Sequence, residues 1–203
     1  MAQTMKDQIF GRIERWGHGK PFTPKDFLDI ASRGSIDVTL ANLIGEGTIR
    51  RIRRGLYDMP RVSAALGREL SPNIDGAARA LARRFCWKII PDGAWAANVL
   101  GLSTQVPAKI VYLSDGPNKK IPIGRRFIHF KHARPQALAG GEGKPALVVQ
   151  ALRHLGMDAV DDRTKLSLRQ VLSDAERRQL LKTTRHGVEW IYEVAKEIAQ
   201  EGP

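Results

Sequence analysis

Cysteine is almost absent and no apolar run is long, and each shortage removes a class of protein. One cysteine, Cys86, in 203 residues can form no internal disulfide and cannot build a thiolate zinc site, which predicts a reducing, cytoplasmic setting. The uninterrupted apolar stretches are only a few residues long, far below the ~20 that span a bilayer. The polar residues 1–8 lead into no apolar signal region, so a soluble, unexported chain with no membrane partner is expected. His129 and His132 would point to opposite faces of a strand, and with no third ligand of the right type beside them no metal is expected. Asp161 and Asp162 likewise lack a partner at metal-site spacing and suit an acidic turn before a helix. The glycines of residues 140–145 resemble a phosphate loop only superficially. Leu138 stands where the leading glycine belongs, and Pro145 replaces the hydroxyl that would meet magnesium. Cys86, flanked by Phe85 and Trp87, fits a buried strand as a small hydrophobe. No cofactor is implied, and nothing demands an enzyme.

What is abundant is positive charge: 33 Lys and Arg against 21 Asp and Glu give +12, a balance suited to polyanions. Hydrophobic residues make up 42% of the chain, enough to bury a core, so this is a folded protein rather than a disordered basic tail.

The pattern along the chain predicts an α+β protein of two domains, residues 1–70 and 71–203. Thr4 and Asp7 cap a first helix, with Ile9, Ile13 and Trp16 on one face. Thr23 caps a second, with Pro24 and Asp26 in its first turn, Phe22 and Phe27 at staple spacing, and an end near Arg33-Gly34. Ser35 can cap a third, whose Ile36, Leu40, Leu43 and Ile44 share a face. Residues 48–60 then suit a short hairpin around an Arg-Gly turn. Three helices followed by a basic hairpin predict a winged helix-turn-helix. Residues 61–72 carry no strong period and suit a linker, with a helix through Ala77, Ala80 and Leu81 beyond. The C-terminal α/β domain is expected to hold a small mixed sheet from strands at 85–90, 109–113, 119–123 and 125–131, with a helix at 94–102. A glycine-rich connector at 135–144 leads to terminal helices at 145–155, 164–172 and 173–200, the last broken at His186-Gly187 and opened by a Ser173/Glu176 capping box.

The hairpin is the densest local feature, because Arg50, Arg51, Arg53 and Arg54 crowd four guanidinium groups into five residues. Arginine offers forked donors that match phosphate and is weakly hydrated. With Lys25 and Arg33 nearby, the four would neutralise about four phosphates and give a log–log salt slope of roughly −3 to −4. On the third helix Ser35, Asp37, Thr39 and Asn42 are the polar candidates for base contact, Asn42 toward adenine and Asp37 toward a cytosine amino group. A second basic group, Lys119, Lys120, Arg125, Arg126 and Lys131, with His132 and Arg134, lies on the expected sheet. It could extend a DNA track, meet RNA or an acidic protein, or simply be solvated. An RNA-binding or nucleic-acid-processing protein working through that face is the alternative to a DNA-binding one.

Two stretches carry a family resemblance. The run from Phe27 to Pro60, ending GTIRRIRRGLYDMP, resembles the N-terminal winged helix of AbiEi-family antitoxins, and PDGAWAANVLGLSTQVPAKIVYLSDG, residues 91–116, resembles the region that follows it in an AbiEi-related group. The resemblance implies a type IV toxin–antitoxin antitoxin that is also a transcriptional autorepressor, bound to inverted repeats in double-stranded DNA upstream of its own operon. It implies a nucleotidyltransferase-like toxin as functional partner, countered without a stable complex. A monomer in solution, or cooperative binding on DNA, goes with this. It places the recognition helix on Ser35 to Asn42 and the wing on Arg50 to Arg54. Asn98, Ser103, Thr104 and Gln105 stand out in the second stretch, where a backbone cap or turn is the preferred role.

Overall fold

The computed structural model describes residues 4–105, 107–138 and 143–200. Of the phosphate-loop-like stretch, Gly140, Gly141 and Glu142 lie outside them. The protein is α+β and divides into two compact units, residues 1–87 with 121–128, and residues 88–120 with 129–203. The boundary expected at 70/71 differs from this division, which keeps residues 71–87 with the first unit.

The first unit begins with α1 (Met5–Trp16). The Asp7 N–H donates to Thr4 Oγ1 at 3.2 Å while Thr4 N–H donates to the Asp7 carboxylate at 3.1 Å, the reciprocal cap that its sequence encodes. A second cap of this kind joins Thr23 and Asp26 at 2.8 Å. The helix it opens is only a 3-10 turn, Pro24–Phe27. Phe22 and Phe27 meet edge-on at 5.5 Å, as their spacing anticipates. The next helix, α2 (Arg33–Gly45), is capped by Ser32 rather than Ser35. Strands β1 (Arg50–Arg53) and β2 (Leu56–Asp58) pair antiparallel with a register shift, and Gly55 turns between them at φ 77°. Phe22 bridges to Tyr57 through two backbone bonds of 2.8 and 3.0 Å, adding a third edge to the hairpin.

Residues 61–72, expected to be a linker, contain a further hairpin of β3 (Val62–Ser63) and β4 (Arg68–Glu69). Helix α3 (Ile74–Phe85) follows, capped by Asn73. It runs through Phe85, so the strand expected at 85–90 begins only at Ile89. Cys86 ends α3 in the left-handed conformation at φ 58° and is exposed, not buried. The core of this unit joins Ile9 and Ile13 of α1, Phe22, Phe27, and Ile36, Leu40 and Leu43 of α2.

The second unit opens with β5 (Ile89–Pro91) and α4 (Gly93–Val99). Strands β6 (Ile110–Ser114), β7 (Lys119–Ile123) and β8 (Arg126–His132), whose residues 121–128 group with the first unit, complete a sheet ordered β5-β6-β8-β7, with β5 and β6 antiparallel. The connector at 135–144 is partly helical, as α5 (Pro135–Leu138). Helices α6 (Lys144–Leu155), α7 (Asp162–Val171), α8 (Asp174–Thr184) and α9 (Glu189–Ala199) close the chain. The interruption at His186-Gly187 and the Ser173/Glu176 box are present as expected. Asp161 caps α7 through Thr164 N–H at 2.8 Å, and bonds from Thr164 hold its carboxyl below the usual range. Helix α6 is buried along Pro145–Leu152 and packs with Ala96, Leu168, Leu180 and Ala195. Gly93 lets α4 approach α6 closely, since a Cβ there would lie 2.5 Å from His154 Cβ and 2.8 Å from the Gln150 carbonyl. Among the described residues no helix is long and apolar enough to cross a membrane.

Candidate nucleic-acid interface

Helix α2 has two unlike sides. Ile36, Leu40 and Leu43 turn into the core, and the opposite side exposes Gly34, Asp37, Val38, Ala41 and Asn42. Thr39 belongs to the core side: it is 4% exposed and its Oγ1 donates to the Ser35 carbonyl at 3.0 Å. It therefore cannot meet a base, and the expectation for it is overturned. The periodicity explains why, since Thr39 sits three residues from both Ile36 and Asn42, on the edge that follows Leu43 inward. Ser35 is half-buried and tied to the cap, its hydroxyl 2.9 Å from that of Ser32. Asn42 is exposed as expected. Asp37 is exposed but paired with Arg33 at 2.9 Å, so each offsets the other's charge on the surface.

Sequence reasoning passed over Val38, which is 62% exposed at the centre of this side. Its signal was available: an aliphatic residue off the apolar stripe of a helix, flanked by the small residues Gly34 and Ala41. Such a side allows close approach to a groove and offers an apolar contact for a thymine methyl.

The four hairpin arginines separate into different roles. Arg50 grips Asp58 with two bonds, Nε to Oδ1 at 3.0 Å and Nη2 to Oδ2 at 2.8 Å, and its Nη1 reaches Glu69 and the Leu70 carbonyl, each at 3.0 Å. The Asp58 side chain is wholly buried, so this pair fastens β1 to β2 and to the second hairpin. The Asp58 bond holds the Arg50 guanidinium above its usual value. Arg50 is thus committed internally and is corrected from a phosphate contact to a structural one. Arg53 is also withdrawn: its Nε and Nη1 are buried without a partner among the described residues, and burial, with Arg84 nearby, pushes its value down. It too is corrected as an open phosphate ligand. Arg51 and Arg54 remain exposed and form no ion pair among the described residues. Arg84, which sequence reasoning did not single out, donates to the Arg54 and Gly55 carbonyls at 3.2 and 3.4 Å and fixes the tip. Lys25 is exposed on the short 3-10 turn.

In the second basic group, Lys119, Lys120 and Lys131 line one cleft, whereas Arg125 and Arg126 are exposed at the β7–β8 turn. His132 Nδ1 lies 3.1 Å from the Gly116 carbonyl. No group of three or more His, Cys, Asp or Glu residues poised for a metal occurs among the described residues. Asn98 donates to the Ser103 and Gln105 carbonyls at 3.2 and 3.1 Å, the backbone-turn role preferred for that segment.

The model of the family described as "Family of unknown function (DUF6088)" matches residues 8–180, and the chain belongs to that family. No curated protein sequence matches. Among solved structures, the crystal structure of the RV2827C protein from Mycobacterium tuberculosis is similar at a TM-score of 0.40 and 18% identity, covering 98% of this chain and 77% of that one.

Proposed function

We propose that this member of the DUF6088 family is a DNA-binding transcriptional regulator whose first unit is a winged helix, with α2 in the major groove and the β1–β2 turn as the wing. The observation that carries the reading is the outward side of α2, where Gly34, Val38, Ala41 and Asn42 are exposed on a helix whose other side is core, next in the chain to a hairpin with exposed Arg51 and Arg54. The order of elements supports it further: a helix, an edge segment at Phe22, a short turn, a second long helix and a two-stranded hairpin that takes Phe22 as its third edge. In this reading Arg51, Arg54 and Lys25 hold phosphates and set register, while Asn42 and Val38 meet base edges. Arg50 and Arg84 act indirectly, by holding the hairpin in shape.

The same proposal extends to autorepression from upstream inverted repeats, to a cytoplasmic location and to antitoxin action against a nucleotidyltransferase-like toxin. Residues 27–60 and 91–116 support it through their resemblance to AbiEi-type proteins. No catalytic step belongs to it. Co-expression with a nucleotidyltransferase gene adjacent to its own tests the antitoxin part: growth is restored by the full chain, and continued arrest would limit the protein to regulation. Anisotropy titration against its upstream duplex tests the DNA-binding part, and binding no tighter than to a scrambled duplex would refute it.

A further inference from the structure

A second basic surface lies within the second unit, and its chemistry differs from that of the hairpin. Strand alternation builds it: Ile110, Tyr112 and Phe130 turn into the protein, while Val111, His129 and Lys131 turn the other way. Lys109, Asn118, Lys119, Lys120, His129 and Lys131 edge a cleft of about 440 Å³, with Val111 as the apolar side chain on its floor. Among the described residues no carboxylate lines it. Asn118 Oδ1 accepts the His132 N–H at 2.7 Å, which fixes the amide and leaves its NH2 group to donate.

We propose that this cleft binds single-stranded nucleic acid, seating one base over the floor with its flanking phosphates on the lysines. A cleft of this volume is in the range that encloses a small organic group. Its apolar floor and imidazole wall suit the face of a base, and only an unpaired strand can splay a base out to reach them, because a duplex keeps its base faces in the stack. The cations do not ring a single point. They are set on and beside the neighbouring strands β6, β8 and β7, about 4.8 Å apart, and so follow a chain of phosphates across the sheet. Single-stranded RNA and DNA share this chemistry. The site is separate from α2 and the hairpin and does not depend on their reading.

The test uses the full chain and fluorescein-labelled oligo-U and oligo-dT of about ten nucleotides, beside the upstream duplex. Far-UV circular dichroism confirms that each variant is folded. Lys109→Glu with Lys131→Glu is expected to weaken single-strand binding at least about tenfold, and His129→Ala about fivefold or more, with the duplex affected less than twofold. Arg51→Ala with Arg54→Ala gives the reverse pattern. Tighter binding of oligo-U assigns the site to RNA, tighter binding of oligo-dT to DNA, and equal binding to either strand. Absence of binding by the wild-type chain, unchanged single-strand affinity in the lysine variant, or displacement of the oligonucleotide by ATP as readily as by unlabelled strand would overturn the proposal.

Discussion

Four arginines that look equivalent in sequence should respond to mutation in two different ways. Arg50→Ala strands the Asp58 carboxylate, whose side chain has no solvent exposure, and removes the bonds to Glu69 and Leu70. Breaking a buried pair from one side costs about 3–5 kcal/mol. Because the Arg50 side chain is itself 25% exposed, the lower end of that range is expected, about 3 kcal/mol. For a chain of 203 residues unfolding cooperatively, that lowers the melting temperature by roughly 6–12 °C. Adding Asp58→Asn removes the stranded charge and should recover part of the loss, which a double-mutant cycle would read directly. Arg51→Ala with Arg54→Ala should leave melting unchanged and flatten the salt dependence of DNA binding by about 1.8 log–log units, two phosphate contacts at 0.9 each. Thermal unfolding by circular dichroism and anisotropy at several salt concentrations measure both quantities on the same samples. A stable Arg50→Ala protein whose salt slope falls by about 0.9 would refute the division of roles.

The other expectations concern the helix, the cysteine and acid stability. Asn42→Ala should cost roughly 1–3 kcal/mol on the preferred duplex and little on random DNA, whereas Thr39→Val should leave both affinities alone; a Thr39 effect on sequence preference would contradict its inward placement. Cys86→Gly relieves a left-handed residue at a helix end and should raise stability by about 0.5–1 kcal/mol in urea unfolding, and a loss would mean that the thiol makes contacts the geometry does not predict. Hydrogen bonds from Thr4 lower the Asp7 carboxyl, the Arg12 bond lowers Asp29, Thr164 lowers Asp161 and the Ser173 backbone lowers Glu176. Depressed carboxyls stabilise the fold above their unfolded values, near 4, and lose that contribution as pH falls through the lower folded values. Stability from these groups should therefore be flat from about pH 5 to 8 and decline below about pH 4; a decline centred near pH 6 would point to histidine instead.

Local chemistry in the sequence was sufficient where a side chain answers its own backbone. The boxes at Thr4/Asp7, Thr23/Asp26 and Ser173/Glu176 are all present because both partners lie three residues apart. The hairpin at 48–60 was legible from its Arg-Gly turn. Ser32 and Ser35 were harder to separate, since both hydroxyls can serve a helix start and only the observed turn chooses between them. The end of α3 was masked because Cys86, not glycine, takes the left-handed position, and the Phe85-to-Ile90 composition favours strand. The roles of Arg50 and Arg53 were invisible because they depend on Asp58, Glu69 and Arg84, partners fixed by tertiary pairing rather than spacing. Val38 has no polar group to mark it in the sequence, and its exposure follows only from its place off the apolar stripe of α2.

The central claim is sequence-specific DNA binding through α2 and the exposed hairpin arginines. Anisotropy of the full chain on a duplex from its own upstream region, against a scrambled duplex, at two salt concentrations tests it most directly. Lys25, Arg51 and Arg54 are the exposed cations assigned to phosphate, so the account predicts tighter binding to the native duplex with a log–log salt slope near −2.7, three contacts at about 0.9 each. Equal affinity for both duplexes, or a slope near zero, would contradict it.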